Sequence, residues 1–216
     1  MNTSALRKRI ESEYRARGYC LGWRLLYSPA KVLDGARVAF IGLNPGGSKP
    51  APDHAEFAMA SGSAYEREVW KDSTLPGEAP LQLQVRELFR LLGERAEDVL
   101  AGNLVPFRSP SWDALPRQKR EWAIEFGTDI WGDLLKRSGP EVVITIGNVA
   151  TKALIPVLDV RDMKRIPVNW GKVKGWRGQI PGGTHVGLPH LSWYRIMGRP
   201  ESEKAVKRLL GGLTAP

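Results

Sequence analysis

Cysteine and histidine are the scarcest chemically versatile residues of this 216-residue sequence. The single cysteine, Cys20, excludes an intramolecular disulfide and every four-cysteine zinc or iron–sulfur site. Three histidines (His54, His185 and His190) are too few for us to expect a metal, and we expect no other cofactor. No apolar run is long enough to span a bilayer, and the first residues lack a signal-peptide pattern. We therefore expect a cytoplasmic monomer without a membrane partner, in a bacterial-type cytosol or associated with the nucleoid.

Acidic residues are scarce in the last quarter of the chain. Residues 161–216 hold 11 lysines and arginines but only Asp162, Glu201 and Glu203, so they carry +8 of the total net charge of +9. Residues 1–160 are nearly neutral, with 21 basic and 20 acidic side chains. A one-sided basic surface favours a polyanionic partner, because neutralised phosphates release their counterions. The composition thus predicts nucleic-acid binding, although a solvated surface that only confers solubility has the same charge pattern.

The length and the 42% of hydrophobic residues are sufficient for one domain, residues 1–216, with a substantial core. Segments with strand and helix patterns alternate along the chain, which predicts a three-layer α/β/α sandwich with a central, mostly parallel sheet. The predicted helices cover residues 4–17, 64–72, 81–93, 117–136, 149–158 and 200–211; the predicted strands cover 38–41, 99–106, 141–147, 172–180 and 184–189; a long loop covers 43–63.

The most informative stretch is residues 38–47, VAFIGLNPGG, in which a buried strand leads into a constrained turn. The turn presents Asn44 at the carboxyl end of the strand, where open α/β sheets bind their ligands. Pro45 fixes one backbone dihedral, while Gly46 and Gly47 allow another molecule to approach the backbone closely. The pattern therefore indicates a functional turn, although a strand exit without any chemistry has about the same prior.

Two more polar segments lie near predicted strand ends. Asn103 belongs to the second strand pattern, and the segment His190-Leu191-Ser192 follows the last one. If the centre of the sheet is parallel, these segments and Asn44 meet at one edge. Asn148, after the third predicted strand, is expected to cap the helix that follows it.

Five segments together resemble a known family. They are Gly42–Gly46 (GLNPG), Phe57, Asn103–Arg108 (NLVPFR), Gly147–Ala150 (GNVA) and His190–Ser192 (HLS). Their order and spacing, over about residues 37–210, are similar to those of the uracil-DNA glycosylase superfamily. The first segment has the mismatch-specific or thymine-DNA glycosylase-like form of that family's first motif.

The resemblance implies a DNA repair glycosylase. The three polar turns hold no lysine that could form a Schiff base, which predicts a monofunctional one. Such an enzyme flips a damaged nucleotide out of the helix and hydrolyses its N-glycosidic bond. The base would be uracil or another deaminated or mismatched base; Asn44 would position water and His190 would stabilise the leaving base. The residues that the resemblance assigns to base binding are Gly42, Leu43, Gly46, Phe57 and Asn103.

The residues after His190 stand where this family inserts a side chain into the duplex. Trp193 and Tyr194 are bulky and can stack on bases, although large aromatic residues are also common in cores. The resemblance assigns DNA binding to Ser192, Trp193, Tyr194, Arg195 and Arg199.

The chain departs from the family's uracil-specific branch at three positions. Asn44 replaces a carboxylate, Gly46 replaces a tyrosine that excludes the thymine methyl group, and Leu191 replaces the proline of a His-Pro-Ser motif. The first departure keeps open the alternative of a weak or inactive DNA-binding member of the same fold. A second alternative is a nucleotide hydrolase with residues 46–49, GGSK, as a phosphate loop, although Ser48 and Lys49 stand in the reverse of the usual order.

Overall fold

The computed structural model describes residues 2–48, 55–71 and 73–214. Helices and strands alternate through most of this part of the chain. In chain order the elements are α1 (Thr3–Ala16), β1 (Trp23–Arg24), β2 (Val38–Gly42), β3 (Ala55–Glu56), α2 (Ala64–Arg67), α3 (Pro80–Leu92), β4 (Leu100–Asn103), α4 (Arg117–Ser138), β5 (Val142–Ile146), α5 (Asn148–Leu154), β6 (Arg161–Trp170), β7 (Val173–Ile180), β8 (Gly183–Leu188) and α6 (Pro200–Leu210), with short 3₁₀ helices at Ala30–Asp34 and Trp112–Ala114.

Six strands form the central sheet, in the order β4-β2-β5-β8-β7-β6. The first four are parallel to one another, whereas β7 is antiparallel to β8 and β6 is antiparallel to β7. This arrangement confirms the predicted α/β sandwich with a mostly parallel central sheet. None of the helices in the described residues has the length and apolar character needed to cross a membrane.

Side chains alternate between the two faces of the sheet along each buried strand, so both faces are apolar. Helices cover both of these faces. On β2, Ala39 and Ile41 face α1, α4 and α5, while Val38 and Phe40 face α2, α3 and α6. The parallel strands β2 and β5 are buried at every position, as expected where helices lie on both sides.

The outer edge of β4 is covered by the segment that contains β1. The N–H of Tyr27 donates to the carbonyl of Ala101 (2.7 Å), and the N–H of Asn103 donates to the carbonyl of Leu25 (3.2 Å). The segment lies so close to β4 that a Cβ atom on Gly102 would clash with the Leu25 carbonyl oxygen. The β4 edge is therefore not open to another strand.

The predicted capping role of Asn148 is wrong. Gly147 precedes the helix, with a φ of 85° that favours glycine, and Asn148 is the first residue of α5. This helix also ends at Leu154 rather than residue 158, shortly before Pro156, which lacks the N–H that a helix needs.

The strand β6 was absent from the prediction, which had only two strands in the C-terminal quarter. It contains Pro167 and several charged residues, and most of its side chains are exposed or half-buried. Such a strand is found at the edge of a sheet, where hydrophobic alternation is weak and proline is tolerated.

The remaining differences concern boundaries. The predicted helix 64–72 ends at Arg67, and the predicted strand 99–106 is shortened to β4. The predicted loop 43–63 contains the two residues of β3, which pair with β1; residues 49–54 of that loop lie outside the described residues.

Candidate active site at the strand edge

The carboxyl ends of β4, β2, β5 and β8 lie at one edge of the sheet, because these four strands are parallel. β4 ends at Asn103, and Asn44 lies two residues after β2. The Gly147–Asn148 turn follows β5, and His190 lies two residues after β8. Neighbouring strands lie about 4.8 Å apart, so Asn103 and His190 are separated by three spacings, roughly 14 Å, with Asn44 between them. The three residues singled out in the sequence thus share one edge.

The turn after β2 is held firmly against the chain that follows β4. The N–H groups of Leu104 and Val105 donate to the carbonyls of Gly42 (2.9 Å) and Leu43 (2.8 Å), and the N–H of Ser109 donates to that of Pro45 (3.2 Å). These bonds extend the pairing of β2 and β4 beyond the strands themselves, and they fix the backbone of the turn that carries Asn44.

The Asn44 amide has a defined orientation. Its Nδ2 donates to the Pro45 carbonyl (3.1 Å) and to Ser109 Oγ (2.8 Å), which uses both of its N–H groups. Ser109 Oγ in turn donates to the Ser111 carbonyl (2.8 Å), so its lone pairs are available to Asn44. The Asn44 Oδ1 has no donor among the described residues and remains an available acceptor.

The Asn103 amide is in the opposite condition. The residue is buried, and its Nδ2 has no hydrogen-bond partner of normal geometry in the described part of the chain. A Cβ atom on Gly42 would lie 2.5 Å from Asn103 Oδ1, so a side chain at Gly42 would displace the Asn103 amide. A buried amide without a partner costs free energy, which makes Asn103 a candidate for contact with a ligand.

A cluster of buried charged and aromatic side chains lies beside Asn103. Burial raises the pKa of the Tyr27 phenol, and the Arg24 guanidinium and a hydrogen bond with Asn103 oppose that rise. Arg24 lies over the Tyr27 ring (4.6 Å) and forms ion pairs with Glu56 (2.9 Å) and Glu68 (2.7 Å). Only 3% of the Arg24 side chain is exposed. The cluster supports Asn103 from the outer side of the sheet.

His190 is half-buried, and burial lowers the pKa of its imidazole. It is therefore neutral at pH 7. Its Nδ1 lies 2.7 Å from Ser192 Oγ, and with the serine hydroxyl donating, the imidazole proton is on Nε2. The ring lies beside Gly147, where a Cβ atom would be 3.5 Å from His190 Cδ2.

Trp193 is the most exposed large apolar side chain of the described residues, with 76% of its surface accessible. Its ring lies 5.6 Å from that of His190. Tyr194 is half-buried and packs against Trp170 (6.3 Å), while Leu191 is fully buried. The loop is therefore anchored by Leu191 and Tyr194, and Trp193 projects from it.

The two predicted DNA-binding arginines differ in their surroundings. Arg195 is exposed. Arg199 donates to the Asn169 carbonyl (2.7 Å), pairs with Glu201 (3.1 Å) and lies over the Trp170 ring (4.7 Å). Arg199 thus connects the loop to the β6–β7 turn.

The remaining predicted base-binding residues lie around the first turn. Phe57 is 6% exposed and belongs to the core cluster that Leu43 also contacts, so little of its ring is accessible. Gly46 is exposed, and a Cβ atom there would meet nothing within 4 Å. Its predicted role and that of Phe57 remain predictions.

The described surface also has features away from this edge. A cleft between α1 and α4 is lined by charged side chains such as Arg17, which pairs with Glu13 (2.8 Å) and lies over Trp122 (4.0 Å). No group of three or more histidine, cysteine, aspartate or glutamate side chains in the described residues could hold a metal ion. Residues 43–48 and 55–63 form no helix, and Lys49 of the suggested phosphate loop lies outside the described residues.

Comparison with known proteins gave no relative: no protein-family model matches the sequence, and no curated protein does.

Sequence reasoning missed Ser109, Tyr27 and Arg24. Ser109 lies in the polar turn after β4, and that turn was a detectable signal. Tyr27 and Arg24 precede the first long strand in the sequence, and nothing there indicated that they pack beside Asn103.

Proposed function

We propose that this protein is a DNA glycosylase that hydrolyses the N-glycosidic bond of uracil, or of a related deaminated or mismatched base, in DNA. The observation that carries the proposal is the contrast between the two asparagines at neighbouring strand ends. Asn44 has a saturated amide nitrogen and an available oxygen, whereas the buried Asn103 nitrogen has only the Tyr27 phenol beside it and no hydrogen bond of normal geometry among the described residues. The first suits a water molecule, and the second suits the polar edge of a base.

The Asn44 oxygen can accept a hydrogen bond from the attacking water but cannot take its proton as a carboxylate does. The reaction must then depend mainly on departure of the base, with an oxocarbenium-like sugar forming before water attacks. In this mechanism the water is oriented by Asn44 Oδ1, and Asn44 itself is oriented by Ser109.

His190 supports departure of the base. A neutral imidazole with its proton on Nε2 can donate to the base oxygen on which negative charge develops. The lowered pKa of His190 keeps it neutral, and Ser192 fixes the ring through Nδ1. A hydrogen bond that strengthens as charge develops lowers the barrier rather than merely improving binding.

Asn103 supplies both a donor and an acceptor, which match the N3–H and O4 edge of uracil once the nucleotide has left the stack. The exposed indole of Trp193 is suited to occupy the space that the flipped nucleotide leaves. None of residues 43–48, 103–109 and 189–195 is a lysine, so no amine is available there for a Schiff base. We therefore expect an intact abasic site as the product.

The open space at Gly46 bears on substrate breadth. The resemblance to the uracil-DNA glycosylase superfamily implies that a tyrosine at this position excludes the thymine methyl group. Because a Cβ atom at Gly46 would meet nothing within 4 Å, we expect Gly46→Tyr to fold and to reduce removal of mismatched thymine more than removal of uracil.

The test is incubation with duplex and single-stranded oligonucleotides that contain uracil, mismatched thymine, hypoxanthine or xanthine, followed by alkaline cleavage of abasic sites. We expect strand cleavage only after alkali and only with damaged substrates. Asn44→Ala should abolish most of it, whereas Asn2→Ala, the same change at the exposed N-cap of α1, should not.

Two results would contradict the proposal. If no base is released from any substrate while DNA is still bound, the protein is a DNA-binding member of the fold without turnover, an alternative that the missing carboxylate at Asn44 favours. If borohydride traps a covalent protein–DNA adduct, the reaction is not simple hydrolysis.

A further inference from the structure

The antiparallel hairpin formed by β6 and β7 has one covered face and one uncovered face. α6 packs on the first: a Cβ atom on Gly175 would meet the Leu209 side chain, and Arg177 donates to the Leu209 carbonyl (2.8 Å). The register pairs Arg165 with Trp176 and Pro167 with Lys174, and directly paired residues share a face. All four of these paired residues therefore lie on the side opposite α6. We use the name hairpin face for Arg165, Lys174 and Trp176 together with Lys172, an exposed residue of the turn between β6 and β7.

The positive charges of the hairpin are not equivalent. Arg161 pairs with Asp159 (2.7 Å), and Arg177 binds the carbonyls at the end of α6, so both are engaged within the protein. Arg165, Lys172 and Lys174 are exposed and form no ion pair among the described residues. Arg165 lies 4.3 Å from the Trp176 ring, which holds its guanidinium on this face.

The hairpin face is continuous with the candidate site. Trp176 pairs with Gly187 near the carboxyl end of β8, so the β6–β7 turn lies at the same sheet edge as His190. The turn is fastened to the His190 loop, since Trp170 packs on Tyr194 and the Asn169 carbonyl accepts from Arg199. On the other side, a Cβ atom on Gly187 would contact both Trp176 and Thr151 of α5, the helix that starts beside His190.

We propose that the hairpin face binds the sugar–phosphate backbone of duplex DNA that flanks the target nucleotide. Two unpaired cations on one exposed face, with a third in the adjoining turn at the edge that holds the site, are complementary to successive phosphates. The identification of the polyanion as DNA rests on the proposed function. We expect this contact to be independent of base sequence, because contacts to phosphates carry no sequence information.

The test measures binding of an undamaged, fluorescein-labelled duplex of about 30 base pairs by anisotropy, from about 50 to 200 mM salt. Wild-type protein contacting 4–6 phosphates should give a slope of log affinity against log salt near −4 to −5. The triple variant R165Q/K172Q/K174Q should lose about 2 to 3 of that slope and about tenfold or more of the affinity at 100 mM salt. The charge-preserving variant R165K/K172R/K174R should retain the wild-type slope.

A control of the same net charge removes three positive charges from the opposite edge, in K31Q/R95Q/K136Q, although Lys31 and Arg95 pair there with acidic side chains. Lys31 and Arg95 precede β2 and β4, and Lys136 lies near the end of α4, before β5 begins. If this control lowers the slope as much as the hairpin variant does, only net charge matters and the hairpin face is not a DNA site. An unchanged slope in the hairpin variant would likewise overturn the proposal.

Base release on the same duplex carrying uracil separates the two proposals. Should the wild-type protein release uracil while the hairpin variant binds normally, the glycosylase proposal stands and the hairpin proposal fails. Should it release no base while the hairpin variant loses the salt slope, the hairpin still binds DNA but the proposed reaction is wrong.

Discussion

The two edges of the central sheet end in different ways. At the β4 edge, the segment around β1 covers the strand, and Arg24 lies buried over the Tyr27 ring (4.6 Å) between two glutamates. At the β6 edge, Arg165 lies over the Trp176 ring at a similar distance (4.3 Å) but is exposed, and the strand carries proline and unpaired charges. The same arginine–aromatic contact therefore occurs in two environments.

The difference separates two kinds of recognition. A buried polar group is held in one geometry and costs free energy if left without a partner, so it suits selection of one base. An exposed cation is mobile, solvated and screened by salt, so it suits a uniform polyanion such as a DNA backbone. We expect the β4 side to determine which base is released and the β6 side to determine how strongly DNA is held.

The largest effect should come from the same substitution made at both edges. Arg24→Gln leaves Glu56 and Glu68 without their buried partner and should lower the free energy of unfolding by about 3–5 kcal/mol. Arg165→Gln should cost less than about 1 kcal/mol, as expected for an exposed cation–π contact. Urea unfolding of both variants at pH 7 measures the difference. Similar losses of unfolding free energy in the two variants would mean that the arginine at the β4 edge contributes no more to stability than the exposed arginine at the β6 edge.

A second prediction concerns the pH dependence of stability that a buried histidine on β8 should cause. His185 on β8 is fully buried; its Nε2 contacts Thr145 Oγ1 (3.0 Å), and its Nδ1 has no partner among the described residues. Burial lowers the pKa of His185 from 6.5 to about 4. The unfolded chain therefore binds a proton that the folded protein does not, and stability should fall as the pH falls from about 6.5 to about 4, by roughly 3 kcal/mol.

The measurement for His185 is the free energy of unfolding in urea at several pH values between 7 and 4, for the wild-type protein and for His185→Gln. The free energy of unfolding of the wild-type protein, relative to that of the variant, should fall by roughly 3 kcal/mol as the pH falls over this range. The same exchange at half-buried His190 should remove less of the pH dependence. A constant difference for His185→Gln would mean that this histidine does not resist protonation.

A third prediction tests base reading at the β4 edge. Asn103→Asp replaces the amide donor with an acceptor, which disfavours the O4 edge of uracil and suits the amino group of cytosine when the carboxyl is protonated or N3 is satisfied. We expect uracil release to fall about 10- to 100-fold, because a buried polar mismatch costs roughly 1–3 kcal/mol. Folding and binding to undamaged DNA should be retained.

The control for Asn103→Asp is Asn2→Asp, which makes the same change at the exposed N-cap of α1, where aspartate and asparagine cap equally well. It should leave uracil release near the wild-type value. Full activity in Asn103→Asp would mean that Asn103 is structural.

The smallest effect concerns the orientation of Asn44. Ser109→Ala removes the acceptor of one Asn44 N–H and allows the amide to rotate, which should lower kcat about fivefold, the value of one hydrogen bond of about 1 kcal/mol, with little change in KM. Ser111→Ala, in the same turn, removes only the side-chain bond from the N–H of Ala114 and should have a smaller effect. A rise in KM without a fall in kcat would exclude a positioning role for Ser109.

Much of the fold could be predicted because its buried strands have clear patterns. The apolar runs of β2 and β5 and the amphipathic α1, α3 and α6 were found within a few residues of their observed bounds. β6 was not found, because its exposed, charged residues and Pro167 lack the alternation that burial imposes. Asn148 was misassigned as a cap because Gly147 can adopt the positive φ that ends the strand directly before the helix.

The sequence by itself determined that polar residues follow buried strands, that one quarter of the chain holds nearly all excess positive charge, and that the sheet is mostly parallel. Local periodicity and composition contain this information, because each depends on neighbouring residues only. Only the tertiary structure decided that Ser109 saturates the Asn44 amide, that Tyr27 and Arg24 pack beside Asn103, and that Arg165 and Lys174 share one uncovered face. These relations join residues far apart in the chain, and they depend on strand order and register, which hydrophobic patterns alone do not specify.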